Sequence, residues 1–338
     1  MWLNSFIILV LAVMFWRKLS EPLQDKNNEV AFLNTSSLVR RHGYPVETHE
    51  VTTADGYRLT LHRIPGGGRP VLLLHGFLQS SASFLLGDPG HSLGYILADA
   101  GFDVWLGNWR GNFYSQKHSN KFISRQEFWN FSWHEMGVHD LPAFIDKILH
   151  ETGRPQLSLV GFSMGAAAFL VLASQKPQYN DKVSASVWVA PAAFLQHTST
   201  SFMGYFFTGA QALQSVLATA YGHDPSGTSM KTAAHYGQSV QSGRFRQYDY
   251  GPGNMLHYGQ SQPPDYDLAR ITAPVSIFYG GADTVTHPQD VENLYSKLVG
   301  SKSRNLHLLK NYTHLDFTCG MDAHRRLYPR IVSILNTH

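Results

Sequence analysis

The stretch at residues 157–168 constrains the fold of this chain more than any other feature. The apolar segment LSLV leads into GFSMG, residues 161–165, and then into three alanines. A Gly-x-Ser-x-Gly motif between a strand and a helix allows a sharp turn that exposes the serine, and the helix N-terminus then points at developing negative charge. The pattern therefore predicts strand, turn and helix around Ser163, with Ser163 as a candidate nucleophile. A serine in an ordinary surface turn is the alternative interpretation.

Composition limits the class of protein. The chain has 338 residues, of which 43% are hydrophobic and 15% charged, and this describes a globular protein rather than a disordered one. The net charge of +3 comes without a Lys/Arg cluster, which argues against a nucleic-acid partner. The single cysteine, Cys319, excludes an intrachain disulfide.

Strand patterns alternate with helical patterns along most of the chain. This alternation predicts an α/β fold, specifically a mostly parallel central sheet with helices on both faces. A hairpin is expected over Glu47 to Ile64, turning at Asp55-Gly56, and a helix around Met136 to His150. The other expected strands are Val71 to Leu74, Asp103 to Gly107, Leu157 to Val160, Val183 to Val189, Val275 to Tyr279 and Leu306 to Leu309.

The alternation stops between Pro191 and Pro274. That region is rich in Gly, Ser and Tyr and has no clear strand, so we interpret residues 191–273 as a cap inserted over the carboxyl edge of the sheet. Residues 21–190 and 274–338 are expected to form the two parts of the core. Ligands bind at the carboxyl edge in open α/β sheets, and the site is expected there.

A serine nucleophile needs a base and a group that orients the base. Asp283 follows the strand that ends at Tyr279, and His314 follows the strand that ends at Leu309. The chain order Ser163, Asp283, His314 is the order that α/β-hydrolases use, so these three residues are the predicted triad. Asp290 and Asp316 are rival carboxylates, but neither directly follows a strand.

The tetrahedral intermediate of acyl transfer also needs hydrogen-bond donors for its oxyanion. The backbone N–H of Met164 directly follows the nucleophile, and the backbone N–H of Phe77 lies in the loop after the strand that ends at Leu74. We predict that these two groups form the oxyanion hole. His75 is expected to brace this loop rather than to transfer protons.

Several longer motifs resemble those of the acid lipases, the group of gastric and lysosomal lipases within the α/β-hydrolases. The resemblance runs from about Glu29 to Leu335. The motifs that carry it are HGF at 75–77, NWRGN at 108–112, FWNFS at 128–132, DLPA at 140–143, GFSMG at 161–165, YGQSQPP at 258–264, GGAD at 280–283 and HLDF at 314–317.

The resemblance implies the same five site residues as the chain's own pattern. It also implies hydrolysis of neutral lipid esters, triacylglycerols or cholesteryl esters, at a lipid–water interface, without a metal or an organic cofactor. A carboxylesterase for smaller soluble esters, or a non-catalytic lipid-binding protein on the same fold, are the alternatives.

Two departures from the family stand out. The segment between Ala193 and about Gly227 is shorter than the family's cap and lacks its paired cysteines. What remains, FMGYFF at 202–207 and the stretch from Ala210 to Tyr221, suits either a lipid-facing surface or a buried helix. His134 stands where relatives usually carry an acid.

The N-terminus indicates entry into the secretory pathway. Phe6 to Trp16 is uninterrupted apolar sequence, too short to span a bilayer comfortably, and residues 1–20 are predicted to be a signal peptide, with an uncleaved anchor as the alternative. The family's secreted or lysosomal members favour the signal peptide. Asn34, Asn130 and Asn311 begin glycosylation sequons, which are usable only in that pathway.

Overall fold

The computed structural model describes residues 33–198 and 223–337. The predicted signal peptide and the apolar cap segment at 202–221 lie outside the described residues. Within them, no helix is long and apolar enough to cross a bilayer.

A nine-stranded sheet forms the centre of the described fold, in the order β1-β2-β4-β3-β6-β7-β8-β9, with β5 paired to β2. The pairs from β4 through β9 are parallel, whereas β1, β2 and β5 pair antiparallel at one side. The strands are β1 Glu47–Thr52, β2 Tyr57–Ile64, β3 Pro70–Leu74, β4 Asp103–Gly107, β5 Lys117–His118, β6 Leu157–Phe162, β7 Val183–Val189, β8 Val275–Gly280 and β9 Arg304–Leu309.

Helices accompany the strands in alternation. They are α1 Thr35–Arg41, α2 Leu93–Asp99, α3 Arg125–Phe128, α4 Trp133–Glu135, α5 Leu141–Thr152, α6 Met164–Gln175, α7 Met230–Ser242, α8 Asn254–Tyr258, α9 Pro288–Lys297, α10 Asp316–Cys319, α11 Ala323–Arg326 and α12 Tyr328–Thr337. Two separate hydrophobic clusters cover the two faces of the sheet. The prediction of an α/β fold with helices on both faces is confirmed.

The predicted hairpin and strands are all present, and their bounds differ only at the ends. β6 continues two residues past the predicted Val160 and runs directly into the turn at Ser163. The helix expected around Met136 to His150 is present within a continuous helical run from Trp133 to Thr152, in which one π-helical turn at Met136–Asp140 joins α4 to α5. Asp140, at the end of this turn, accepts a hydrogen bond from Arg110 Nε at 2.7 Å.

The described part of the region between β7 and β8 contains no extended strand, as expected from the sequence. It holds α7 and α8, and one isolated antiparallel bridge joins Arg246 to Asp265. Residues 223–229, which precede α7, contact the loop that follows the carboxyl end of β3, because the Ser226 N–H donates to the Leu78 carbonyl at 2.6 Å.

Candidate active site

Ser163 occupies the turn between β6 and α6. Its backbone has φ 51° and ψ −111°, a conformation that non-glycine residues rarely adopt, and its N–H donates to the Val189 carbonyl at 2.9 Å. The following helix begins at Met164, so that the first free N–H groups of α6 lie beside the serine. The predicted strand, turn and helix are present here.

The two glycines of the motif allow the close packing that this turn requires. A Cβ on Gly165 would lie 2.3 Å from the Leu74 carbonyl oxygen of the neighbouring strand β3. A Cβ on Gly161 would lie 2.7 Å from the Ala166 nitrogen of α6. Any larger residue would force the helix away from the sheet.

Asp283 and His314 come together although 31 residues separate them. The Asp283 Oδ2 and the His314 Nδ1 are 2.8 Å apart, and both side chains are buried. The loops that carry them are joined, because the Ala282 N–H donates to the Tyr312 carbonyl at 3.1 Å. The ring of Phe162, the residue before Ser163, lies 5.1 Å from the His314 ring.

The Asp283 carboxylate is saturated with donors. Its Oδ1 accepts from the N–H groups of Val285 and Thr286 at 2.8 and 2.9 Å, and its Oδ2 accepts from the Thr286 hydroxyl at 2.7 Å. Thr286 is a residue of the candidate site that the sequence interpretation missed, and its position three residues after the aspartate was the available signal. These donors hold the carboxylate in one orientation toward the histidine.

The rival carboxylates are engaged elsewhere. Asp290 is buried and accepts from His197 Nδ1 at 2.8 Å. Asp316 accepts from the N–H and the hydroxyl of Thr313, at 2.7 and 2.6 Å. Of the three candidate aspartates, Asp283 is the one hydrogen-bonded to His314.

The loop after β3 is held tightly beside the elbow. The Gly76 N–H donates to Gln79 Oε1 at 3.0 Å, and Leu78 has a φ of 58°. The Phe77 ring packs edge-on against Tyr236, with 5.6 Å between the ring centroids. A Cβ on Gly76 would lie 3.0 Å from the Phe162 ring, so this loop and the elbow are in close contact.

His75 lies beneath this loop. Its Nδ1 lies 2.8 Å from the Gly76 carbonyl, and because a carbonyl only accepts, Nδ1 carries the proton. Its Nε2 then accepts from the Asn112 side chain at 3.2 Å and from the Trp109 N–H at 3.4 Å. Burial lowers the pKa of His75 to about 4, although the bond to Gly76 works in the opposite direction. The geometry agrees with the expected bracing role.

Arg110, two residues after Asn108 in the loop that follows β4, is buried between two carboxylates. Its guanidinium is 1% exposed and forms 2.6 Å ion pairs with both Asp55 and Asp140. It also lies 3.9 Å from the centre of the Tyr57 ring. Burial opposes ionisation of Asp55, but the hydrogen bonds and charge of Arg110 outweigh it and lower the pKa of this carboxyl.

His134, which stands where relatives usually carry an acid, contacts a tyrosine before β8. Its Nδ1 lies 2.7 Å from the Tyr266 hydroxyl, and burial lowers its pKa. This contact links α4 to the segment that precedes β8.

Comparison with known proteins agrees with this geometry. A sequence profile described as "alpha/beta hydrolase fold" matches residues 69–318, and one described as "Partial alpha/beta-hydrolase lipase region" matches residues 35–88. A yeast monoglyceride lipase from Saccharomyces cerevisiae has a similar fold, with a TM-score of 0.58 at 18% identity over 87% of this chain and 95% of that one. The chain is an α/β-hydrolase.

Curated relatives place it more narrowly. Lipase 1 of Drosophila melanogaster is 36% identical over 93% of this chain and 82% of its own length. Gastric triacylglycerol lipase of Bos taurus is 34% identical over 91% of this chain and 92% of its own length. The chain belongs to the acid lipase family, as its motifs indicated.

Proposed function

We propose that this protein is a lipase that hydrolyses neutral lipid esters through an acyl-enzyme on Ser163. The observation that carries the proposal is the Asp283–His314 pair, whose carboxylate is held by three further donors. The His314 ring contacts Phe162, the residue that directly precedes Ser163 in the strained turn of the elbow. The relatives named as triacylglycerol lipases support an acylglycerol as the substrate.

The proposed reaction has two halves. His314, with Nδ1 oriented by Asp283, takes the hydroxyl proton of Ser163 through Nε2 while Oγ attacks the ester carbonyl. The amides of Phe77 and Met164 donate to the oxyanion, each lowering the barrier by about 3 kcal/mol. His314 then gives the proton to the leaving alcohol, and water attacks the acyl-enzyme with the same residues in the same roles.

Replacement of the nucleophile tests this proposal. Ser163→Ala is expected to lose turnover of both an emulsified long-chain triacylglycerol and a soluble short-chain ester, by about 10⁵-fold or more, because no acyl-enzyme forms. It is also expected to lose labelling by a fluorophosphonate. Rates and labelling are measured on the full chain, with circular dichroism to show that the variant is folded.

Ser174→Ala is the matched control. Ser174 is equally buried, lies in the helix that begins after Ser163, and donates only to the Val171 carbonyl. It is expected to keep labelling and turnover. Labelling that persists in Ser163→Ala would overturn the proposal, wild-type activity on the soluble ester alone would indicate a carboxylesterase, and neither activity nor labelling would indicate a lipid-binding protein.

We also propose that residues 1–20 are a signal peptide, that the protein is secreted or lysosomal, and that residues 191–273 form its cap. The exposure of Asn34, Asn130 and Asn311 supports glycosylation at the three sequons. Protein made in a secretory host is expected to shift in mobility after glycosidase treatment. Retention of the full N-terminus without any glycan would contradict the proposed route.

A further inference from the structure

A loop at the carboxyl edge of the sheet, residues 113–126, combines an exposed aromatic tip with exposed cations. We call it the cationic loop. Phe122 is 95% exposed, and Lys117, Lys121 and Arg125 are exposed as well. The loop contains no Asp or Glu, and because its cations are spread over nine residues they do not stand out as a cluster in the sequence. A single exposed apolar residue is ordinary, so it is the combination of Phe122 with exposed cations of one sign that distinguishes this loop.

The exposure of Phe122 follows from a hydrogen-bonded loop. β5, within the loop, pairs with β2 through His118 and Tyr57. The Ser119 N–H donates to the Gly56 carbonyl at 2.8 Å, and the Phe122 N–H donates to Asn120 Oδ1 at 2.9 Å. The backbone is therefore tied to the hairpin of β1 and β2 while the Phe122 ring faces solvent.

The cationic loop begins beside the candidate active site. The Phe113 N–H donates to the Ser226 carbonyl at 2.8 Å, and the Ser226 N–H donates to the Leu78 carbonyl at 2.6 Å. Leu78 directly follows Phe77, the proposed oxyanion donor. Phe113 is itself 72% exposed, so an exposed aromatic lies two hydrogen bonds from the oxyanion loop.

The positive charges of the loop are not neutralised by the described protein. Within residues 33–198 and 223–337, no carboxylate forms an ion pair with Lys117, Lys121 or Arg125. Glu127, the nearest acid along the chain, caps α3 by accepting from Ser124. The three exposed cations therefore lie on a loop that follows the carboxyl end of β4, the same edge of the sheet at which β6 leads into Ser163.

We propose that the cationic loop docks the protein on an anionic lipid–water interface, with Phe122 inserted among the acyl chains and the cations at the surface. This inference rests on the proposed function, because a lipase releases fatty acids whose carboxylates collect at the interface and make it anionic. Apolar side chains flanked by Lys and Arg bind such surfaces through burial and charge together. Docking by this loop holds the active-site edge against the substrate.

Vesicle binding tests the proposal. The full chain is sedimented with vesicles of phosphatidylcholine alone and of phosphatidylcholine and phosphatidylglycerol in equal parts. Preferential binding to the mixed vesicles is expected. Phe122→Ser is expected to weaken binding by about tenfold, and Lys117→Gln and Lys121→Gln by about fivefold each on the mixed vesicles, an effect that salt removes.

Matched controls lie at the opposite edge of the sheet. Val299, 68% exposed, precedes β9, and the exposed Arg154 precedes β6. Val299→Ser and Arg154→Gln are expected to bind vesicles as the wild type does. Equal binding by Phe122→Ser and the wild type, or equal weakening by Val299→Ser, would overturn the proposal.

Hydrolysis of a soluble short-chain ester separates this inference from the proposed function. Phe122→Ser is expected to retain wild-type turnover of that ester while losing activity on an emulsion. If the wild type hydrolyses no ester yet shows the expected vesicle pattern, the proposed function fails and docking stands. If ester hydrolysis is normal and the vesicle pattern is missing, docking fails alone.

Discussion

Asp283 is held so that one particular oxygen faces His314. Because Oδ1 accepts from two backbone N–H groups, Oδ2 is the atom left for the histidine Nδ1. In Asp283→Asn, the carbonyl oxygen keeps the backbone donors and the amide NH₂ faces Nδ1. The His314 ring must then carry its proton on Nε2, and a protonated Nε2 cannot accept the hydroxyl proton of Ser163. We expect turnover to fall about 10⁴-fold with folding retained, measured as kcat on a soluble ester.

Asp290→Asn is the control for this substitution. Asp290 is similarly buried and also pairs with a histidine, His197, at 2.8 Å. Its replacement is expected to leave kcat within a few-fold of the wild type, because His197 has no part in the proposed reaction. Comparable losses in both variants would mean that Asp283 acts only through stability.

Arg110 connects three secondary-structure elements that the sequence separates widely. It pairs with Asp55 in the β1–β2 turn and with Asp140 next to α5, and its loop follows β4. Lysine keeps the charge but has no planar fork for two carboxylates. Arg110→Lys is therefore expected to lower the free energy of unfolding by about 3 kcal/mol, measured by urea denaturation.

Arg58→Lys is the control for this substitution, because Arg58 lies on the β1–β2 hairpin that Arg110 contacts through Asp55. Arg58 pairs with Glu50 on the exposed face of the hairpin. Exposed ion pairs contribute little, so a change of no more than about 0.5 kcal/mol is expected. A similar loss in both variants would contradict the special role of the buried Arg110 network.

The free energy of unfolding is expected to fall at acidic pH because of buried histidines, and to be lowered at higher pH by one buried carboxyl group. Burial lowers the pKa of His62 and His75 to about 4 and that of His235 to about 3. Since an unfolded histidine has a pKa near ~6.5, the unfolded chain gains protons first as the pH falls, and stability is lost below that value. Burial raises the pKa of Asp224 to about 8, so this carboxyl costs stability as the pH rises from about 4 toward 8.

Asp224→Asn separates the two effects. The Asp224 Oδ1 is shielded from solvent and has no hydrogen-bond partner among the described residues. Its Oδ2 accepts from the Ser83 hydroxyl at 3.3 Å, and the side-chain oxygen of an asparagine can accept the same bond. The variant is expected to raise Tm more at pH ~8 than at pH ~5, because the cost of ionisation is present only in the wild type. The exposed Asp88→Asn should shift neither value, and an equal shift by Asp224→Asn at both pH values would refute this account.

Most of the sheet could be predicted from local patterns. Each expected strand is present, with ends that differ from the expected ones by a few residues. Such strands are predictable because a strand buried on both faces of a parallel sheet appears in the sequence as a short apolar run between turn residues. The short strand β5 was missed because two residues carry no periodicity. The π-helical turn between α4 and α5 was missed because the apolar spacing continues across it.

The sequence by itself determined the elbow at Ser163, the family, and the chain order of the three proposed triad residues. These depend on neighbouring residues, whose backbone preferences and spacing are local. Only the tertiary structure decided that Asp283, and neither Asp290 nor Asp316, contacts His314, and that Thr286 supports it. It alone showed that Arg110 is buried between two carboxylates and that Phe122 faces solvent. The hydrogen-bond partners and the exposure of a side chain depend on which distant loops the folded sheet brings together at one edge.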